Sequence, residues 1–306
     1  MARAVGGEAR VARWHSAIAA AILVLPVLAT DPQAVQSAAV EIAVTPGGLR
    51  PGDVFLLEAD CHCRATSGSA STSLLASPVP LFREPGATAW RALLGIDLER
   101  APGPYAITLT FEAPDESPLS ATHTVHVTSR RFATRRLTVD PGFVTPPADV
   151  EPRILAEAAR LRTVLSSATD RTPMGPLQPP LPTAVNSNFG SRSIFNGQPR
   201  SPHAGVDFSG DVGTPILAPG SAIVALAEDL YFTGRTVILD HGQGLFSILA
   251  HLSEIGVAEG ARVERGEAVG TLGATGRVTG PHLHWGVRLH GARVDPLSAL
   301  SVLQAG

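Results

Sequence analysis

Lysine is absent: all 24 basic side chains are arginines, a compositional trait from which we read no mechanism. The arginines form no basic stripe. With a net charge of −3 and a pI near 6.4, the chain lacks the footprint of a nucleic-acid partner. A long apolar run is also lacking. The stretch Ser16 to Ala29 (SAIAAAILVLPVLA) falls short of the about 20 apolar residues of a membrane-spanning helix and is broken by Pro26. Only two cysteines are present, Cys61 and Cys63 in DCHC, and none follows the apolar run, so nothing suggests a lipoprotein. At strand spacing the two Cα atoms lie roughly 6.5–7 Å apart, at the edge of what a relaxed disulfide spans. Three adjacent ligands on one strand cannot converge on a metal without a sharp bend, which leaves free thiols or a strained local disulfide.

What is present is enough apolar material, 44% of 306 residues, for two small domains. Residues 1–39 read as an export signal: Arg3, Arg10 and Arg13 precede the apolar run, and Ser37-Ala38-Ala39 offers a cleavage neighbourhood. An uncleaved anchor is the alternative, and the only membrane contact the sequence suggests. Residues 40–140 alternate apolar runs (VEIAVTPGG, GDVFLLEADC, GPYAITLTFEA, THTVHVTS) with turn signals, the texture of a β-sandwich. His123 and His126, three apart on a strand, point to opposite faces and are not paired ligands. Residues 141–183 hold a helix and a linker. Asp149 can cap the helix, and Ile154, Leu155, Ala158, Leu161 and Leu165 form its apolar stripe. Five prolines in Arg171 to Pro182 then mark a stiff, extended boundary. Residues 184–306 return to short β runs cut by glycines. The fold class is therefore mainly β: a sandwich-like N-terminal domain, a connecting helix and a C-terminal antiparallel β domain.

Six of the ten histidines lie in this last region: His203, His241, His251, His282, His284 and His290. In TGPHLHWGV, strand alternation puts His282 and His284 on one face and Leu283 and Trp285 on the other, toward a core. In SPHAGVDF, His203 and Asp207 are roughly 13 Å apart if fully extended, so joint ligation requires a bend, for which Gly205 is the suitable residue. Two imidazoles and a carboxylate make the ligand set of a catalytic zinc that keeps its fourth position for water. That is the chemistry of hydrolysis without a protein nucleophile. His251 ends an apolar strand and reads as a core histidine, His241 as a structural residue in a turn, and His290 as an exposed turn residue.

Taken in order, NFGSR, PHAGVDF, GTPILAPGSAIV, VILDHGQGLFSILAHLSEIGV, GEAVGTLGATGRVTGPHLHWGV and VDPL resemble the LytM/lysostaphin-type M23 family of zinc metallopeptidases, over about 115 residues. The resemblance implies a compact antiparallel β fold with the metal in an open groove, and peptidoglycan peptides as substrate. It assigns His203, Asp207 and His284 as zinc ligands, and His251 and His282 as catalytic histidines beside the metal. The expected activity is an exported zinc endopeptidase of the periplasm or cell envelope. Family members that have lost ligands serve instead as non-catalytic activators of wall amidases; this chain keeps both HxxxD and HxH. The N-terminal domain can be a spacer, a docking module, or a latch that keeps the enzyme latent.

Overall fold

The structure, a computed structural model, describes residues 40–138, 146–166 and 175–304. The export signal or anchor and the start of the proline-rich segment lie outside these residues. Seven strands come first: β1 (Val40–Thr45), β2 (Val54–Cys61), β3 (Ser67–Thr72), β4 (Val79–Pro80), β5 (Ala89–Gly95), β6 (Gly103–Glu112) and β7 (Leu119–Val127). They form two antiparallel sheets, ordered β1-β2-β5 and β4-β3-β6-β7. The alternation in β2 (VFLLEADC) sends Phe55, Leu57 and Ala59 inward. They meet Ala70, Ile107, Leu109 and Phe111 from the other sheet. This is the sandwich that the period-2 pattern predicts.

Cys61 and Cys63 are joined in a disulfide, with Cα atoms 5.2 Å apart. The approach is closer than strand spacing because β2 ends at Cys61 and the chain turns, the Cys63 N–H donating to the Cys61 carbonyl. Both thiols are thereby consumed, and His62 between them is exposed.

β8 (Thr134–Leu137) runs parallel to β10 (Arg192–Phe195), which also pairs β11 (Gln198–Pro199). Between them come a short 3-10 turn at Ala148–Val150, helix α1 (Glu151–Ser166) and β9 (Val185–Ser187). The proline-rich segment is irregular yet anchored: Leu177 and Leu181 are buried in the core beneath the following sheet. That sheet takes in β9, β12 (Gly205–Phe208), β13 (Pro215–Leu217), β14 (Ala222–Leu230), β15 (Gly234–Gly242), β16 (Leu245–Ile255), β17 (Arg262–Val263), β18 (Ala268–Leu272), β19 (Leu283–Leu289) and β20 (Ala292–Val294). Every pairing within it is antiparallel. Helix α2 (Pro296–Gln304) closes the chain. Among the described residues, no helix is long and apolar enough to cross a membrane.

Both faces of this sheet are covered. Leu283, Trp285, Val287 and Leu289 of β19, with Leu245 and Leu249 of β16, point into the main core. On the opposite face, Ile238, Phe246 and Leu226 carry α1 through Leu161, Val164 and Leu165. Double coverage explains why β15 and β16 read as continuous apolar runs rather than alternating ones. The expected stripe on α1 needs one correction: Leu155 is 62% exposed. It lies about 100° around the helix from Ile154, outside the row through Ala158, Leu161 and Leu165.

The sandwich docks on β20 and α2 through polar contacts. Arg293 makes a two-pronged ion pair with Asp97 (2.7 and 3.0 Å), Arg130 pairs with Asp295 at 2.8 Å, and the Val54 N–H donates to Ser298 Oγ.

Candidate metal centre

The middle of β19 fixes the site. Register pairs His284 with Asp207 on β12 and with Ala250 on β16, while Trp285 points to the other face, fully buried, its Nε1–H donating to Ser247 Oγ. β12 begins only at Gly205, so the chain turns before it and His203 folds back over Asp207. Backbone hydrogen bonds clamp His203: its N–H donates to the Ser191 carbonyl, and its own carbonyl accepts from Gly190.

Gly205 is needed for a reason other than the expected bend. Its φ is not in the left-handed region. A Cβ there would meet the Trp285 carbonyl oxygen and come within 2.7 Å of Cε1 and 2.9 Å of Nε2 of His284. Glycine makes room for the imidazole.

Three atoms converge. His203 Nε2 lies 2.9 Å from Asp207 Oδ1 and 3.0 Å from His284 Nδ1, and the last two are 3.0 Å apart. Among the described residues this is the one His/Cys/Asp/Glu group whose ligand atoms come together in this way. His203 Nδ1–H donates to the Asn188 carbonyl, which turns the Nε2 lone pair inward. Converging lone pairs repel unless a proton or a cation sits among them. Ligands of a tetrahedral zinc, bound at about 2.0–2.1 Å, stand about 3.3 Å from one another, so the donor set fits such an ion with small adjustments.

Electrostatics agree with a cation site. Burial opposes charge on Asp207, but hydrogen bonds from His203 and His284 outweigh it and hold the carboxyl far below the usual range. Burial likewise opposes charge on His203, yet the Asp207 hydrogen bond wins and raises its pKa; for His284 burial wins and lowers it. One carboxylate thus sets the polarity of the whole trio.

His282 and His251 stand beside the trio. His282 Nε2 is 4.0 Å from Asp207 Oδ1, and the His251 ring lies 4.8 Å from that of His282 and 6.2 Å from that of His284. His251 is buried, as expected of a histidine ending an apolar strand, but a β-bulge sets its ring beside the other histidines rather than in the main core. Between the pairs Arg235↔Leu252 and Val237↔Leu249, Ala250 and His251 oppose Thr236 alone. His251 takes φ 68° there, and the extra residue swings its ring from the Trp285 side to the His284 side. Its Nδ1–H donates to the Thr275 carbonyl, and burial, aided by the charge on His284, pushes its pKa down to about 4. His282 Nδ1–H donates to the Gly280 carbonyl. Both side chains therefore keep Nε2 free as an acceptor. The carbonyls of Asn188, Thr275 and Gly280, which select these tautomers, left no signal in the sequence.

The other histidines lie elsewhere. His241 is buried against Ser247 Oγ and the Ser221 carbonyl. His290, expected exposed, is partly buried and donates to the Leu93 carbonyl across the junction with the sandwich.

A trio that could hold a metal ion, flanked by two acceptor imidazoles, is the equipment of a metal-assisted hydrolase. Residues 201–296 match the model of peptidase family M23. A crystal structure of an M23 peptidase from Pseudomonas aeruginosa is 34% identical, with a TM-score of 0.64, over 83% of this chain and 95% of that one. The chain belongs to peptidase family M23. Two curated relatives come from Vibrio cholerae serotype O1. The peptidoglycan DD-endopeptidase ShyA is 37% identical over 116 residues, 38% of this chain and 27% of that protein. ShyC, which carries the same description, is 40% identical over 114 residues, 37% and 26%. The match thus spans about a quarter of these relatives' length.

Proposed function

We propose that the protein is an exported zinc metalloendopeptidase that hydrolyses peptide cross-links of bacterial peptidoglycan in the periplasm or cell envelope. Residues 1–39 serve as its signal or anchor, and residues 40–140, 141–183 and 184–306 as sandwich, connector and peptidase domain. The observation that carries this reading is the convergence of His203, Asp207 and His284 with His251 and His282 alongside. Relatives described as peptidoglycan DD-endopeptidases support the substrate class.

His203 Nε2, Asp207 Oδ1 and His284 Nδ1 would hold the ion. A zinc ion held there supplies Lewis acidity and a nucleophilic water near neutral pH. The remaining chemistry belongs to the chain. The Asn188 carbonyl fixes the ligand tautomer of His203. His251, neutral at pH 7, presents Nε2 to take a proton from the attacking water, and His282 presents a second imidazole to the same space. Once protonated, either one can donate to the oxyanion that forms on the scissile carbonyl.

Two substitutions test the division of labour. His284→Ala should lose stoichiometric zinc and the digestion of purified sacculi. His282→Ala should keep zinc and lose digestion. If His284→Ala and Asp207→Ala retain both metal and digestion, the proposal is wrong. Mass analysis of the released muropeptides identifies the bond.

Latency is a second reading, favoured by one contact. Phe246 and Ile248 share the sheet face of His284, and α1 lies on them. The helix covers the part of that face beyond the histidines. Leu161→Asp with Leu165→Asp should lift it and raise the rate of wall digestion; an unchanged rate rules latency out.

A further inference from the structure

A second concavity lies away from the histidines. Its volume is about 760 Å³, within the range of roughly 300–1,000 Å³ for small-ligand pockets. It opens between α1, the β3–β5 region of the sandwich and the far end of β19. Leu75, Val79 and Leu93 form one wall, Leu161 and Leu165 of α1 another, and Gln243, Arg288 and His290 the floor. Arg288 shares the face of His284 but stands four residues on, roughly 13 Å along the strand.

The polar groups of this floor are incompletely matched. Arg288 forms no ion pair among the described residues; its one hydrogen bond there goes to the Val287 carbonyl at 3.3 Å. Burial, with repulsion from Arg293 and only partly offset by attraction to Asp97 outside the cavity lining, pushes its pKa down to about 10, so it stays charged at neutral pH. Arg162 adds a second positive charge from α1, and no described lining residue is acidic. Among the described residues, Gln243 Oε1 is buried without a hydrogen-bond partner. His290 already donates to the Leu93 carbonyl, and burial keeps it neutral. The vacant roles are therefore one anion for a guanidinium, one N–H donor for a carboxamide oxygen, and apolar groups for the walls. A fatty carboxylate meets the first and third but has no donor. The end of a peptide chain meets all three.

We propose that this cavity binds the apolar C-terminus of a partner protein, its carboxylate on Arg288 and its last backbone N–H on Gln243 Oε1. Guanidinium and carboxylate form the strong charge-assisted pair, and the apolar walls take the last side chains. The site is independent of the metal centre. Because α1 forms one wall, an occupant touches the helix that also roofs the catalytic face.

The full-length chain would be screened by affinity-selection mass spectrometry. The probe is a pool of N-acetyl tetrapeptides with Ala, Val, Leu or Phe at the last two positions, offered as free acids and as C-terminal amides. Free acids should be retained, and their amides should bind at least tenfold more weakly. Arg288→Gln should cost at least tenfold and Gln243→Leu about fivefold, whereas His284→Ala, although it loses digestion, should leave peptide retention at the parental level, which separates this proposal from the catalytic one. Ala158→Trp fills the cavity from the wall that α1 forms and should abolish retention, so the test survives if Arg288→Gln fails to fold. The proposal is overturned if no free acid is retained, if acids and amides bind alike, or if folded Ala158→Trp binds normally. Retention restricted to added D-alanine-terminated peptides would replace the partner with a wall peptide and overturn it too.

Discussion

Replacing Gly205 with alanine asks whether the metal centre depends on the empty space beside His284. The added methyl meets the Trp285 carbonyl oxygen on one side and the His284 ring, at 2.7 and 2.9 Å, on the other. The carbonyl belongs to the β12–β19 ladder, where Gly205 pairs with Gly286 and Val206 with Trp285, so it cannot retreat without parting the strands. The ring can retreat by rotation, but rotation carries Nδ1 away from its 3.0 Å positions beside His203 and Asp207. Overpacking of this kind costs about 1–3 kcal/mol. If the ring yields first, about 1.4 kcal/mol of that falls on metal affinity, a tenfold loss. Urea unfolding of metal-free protein measures the first quantity and competition with a zinc chelator the second. Gly47→Ala is the control: nothing lies within 4 Å of its added methyl, and it should stay within about 0.5 kcal/mol of the parent. A folded Gly205→Ala protein with parental zinc affinity refutes the reasoning.

Three further outcomes are expected. Ser247→Ala removes the acceptor of the fully buried Trp285 Nε1–H and should cost about 1–3 kcal/mol in urea unfolding while leaving zinc binding intact; a loss under about 0.5 kcal/mol contradicts it. At the junction, burial opposes ionisation of Asp97, but hydrogen bonds from Arg293 hold its pKa down to about 2, against 3.8 for a free carboxyl. A depressed folded pKa means stability that is full above the unfolded value and lost as pH falls from about 4 toward 2. Asp97→Asn should therefore destabilise by about 1–2 kcal/mol at pH 7 after allowance for partial exposure, and the gap should narrow by pH 3; a pH-independent gap refutes the assignment. In metal-free protein, imidazole NMR should show His251 neutral down to about pH 5, and a midpoint above 6 contradicts the burial argument.

Much of the fold was legible because its patterns are local. Alternation in VFLLEADC and THTVHV marks a sandwich, and HLHW divides correctly, with Leu283 and Trp285 fully buried and both histidines on the open face. His203, Asp207 and His284 were legible as ligand types, but nothing in their spacing says how the chain turns before Gly205. The losses share one physical origin. A period-2 pattern states which residues alternate, not where a strand carries one residue more than its partner. ILAHLS contains no glycine or proline to flag the bulge, so His251 reads as core until β15 is laid beside it. In the same way the stripe on α1 states that Leu161 and Leu165 face inward without naming what they pack against. Their partners, Phe246 and Ile238, sit about 80 residues away on the face of His284. Arg288 is the sharpest instance. Alternation in HLHWGVR aims it to the same side as the two histidines, and only α1 and the sandwich, folded over that side, divide one continuous face into the histidine cluster and a separate cavity.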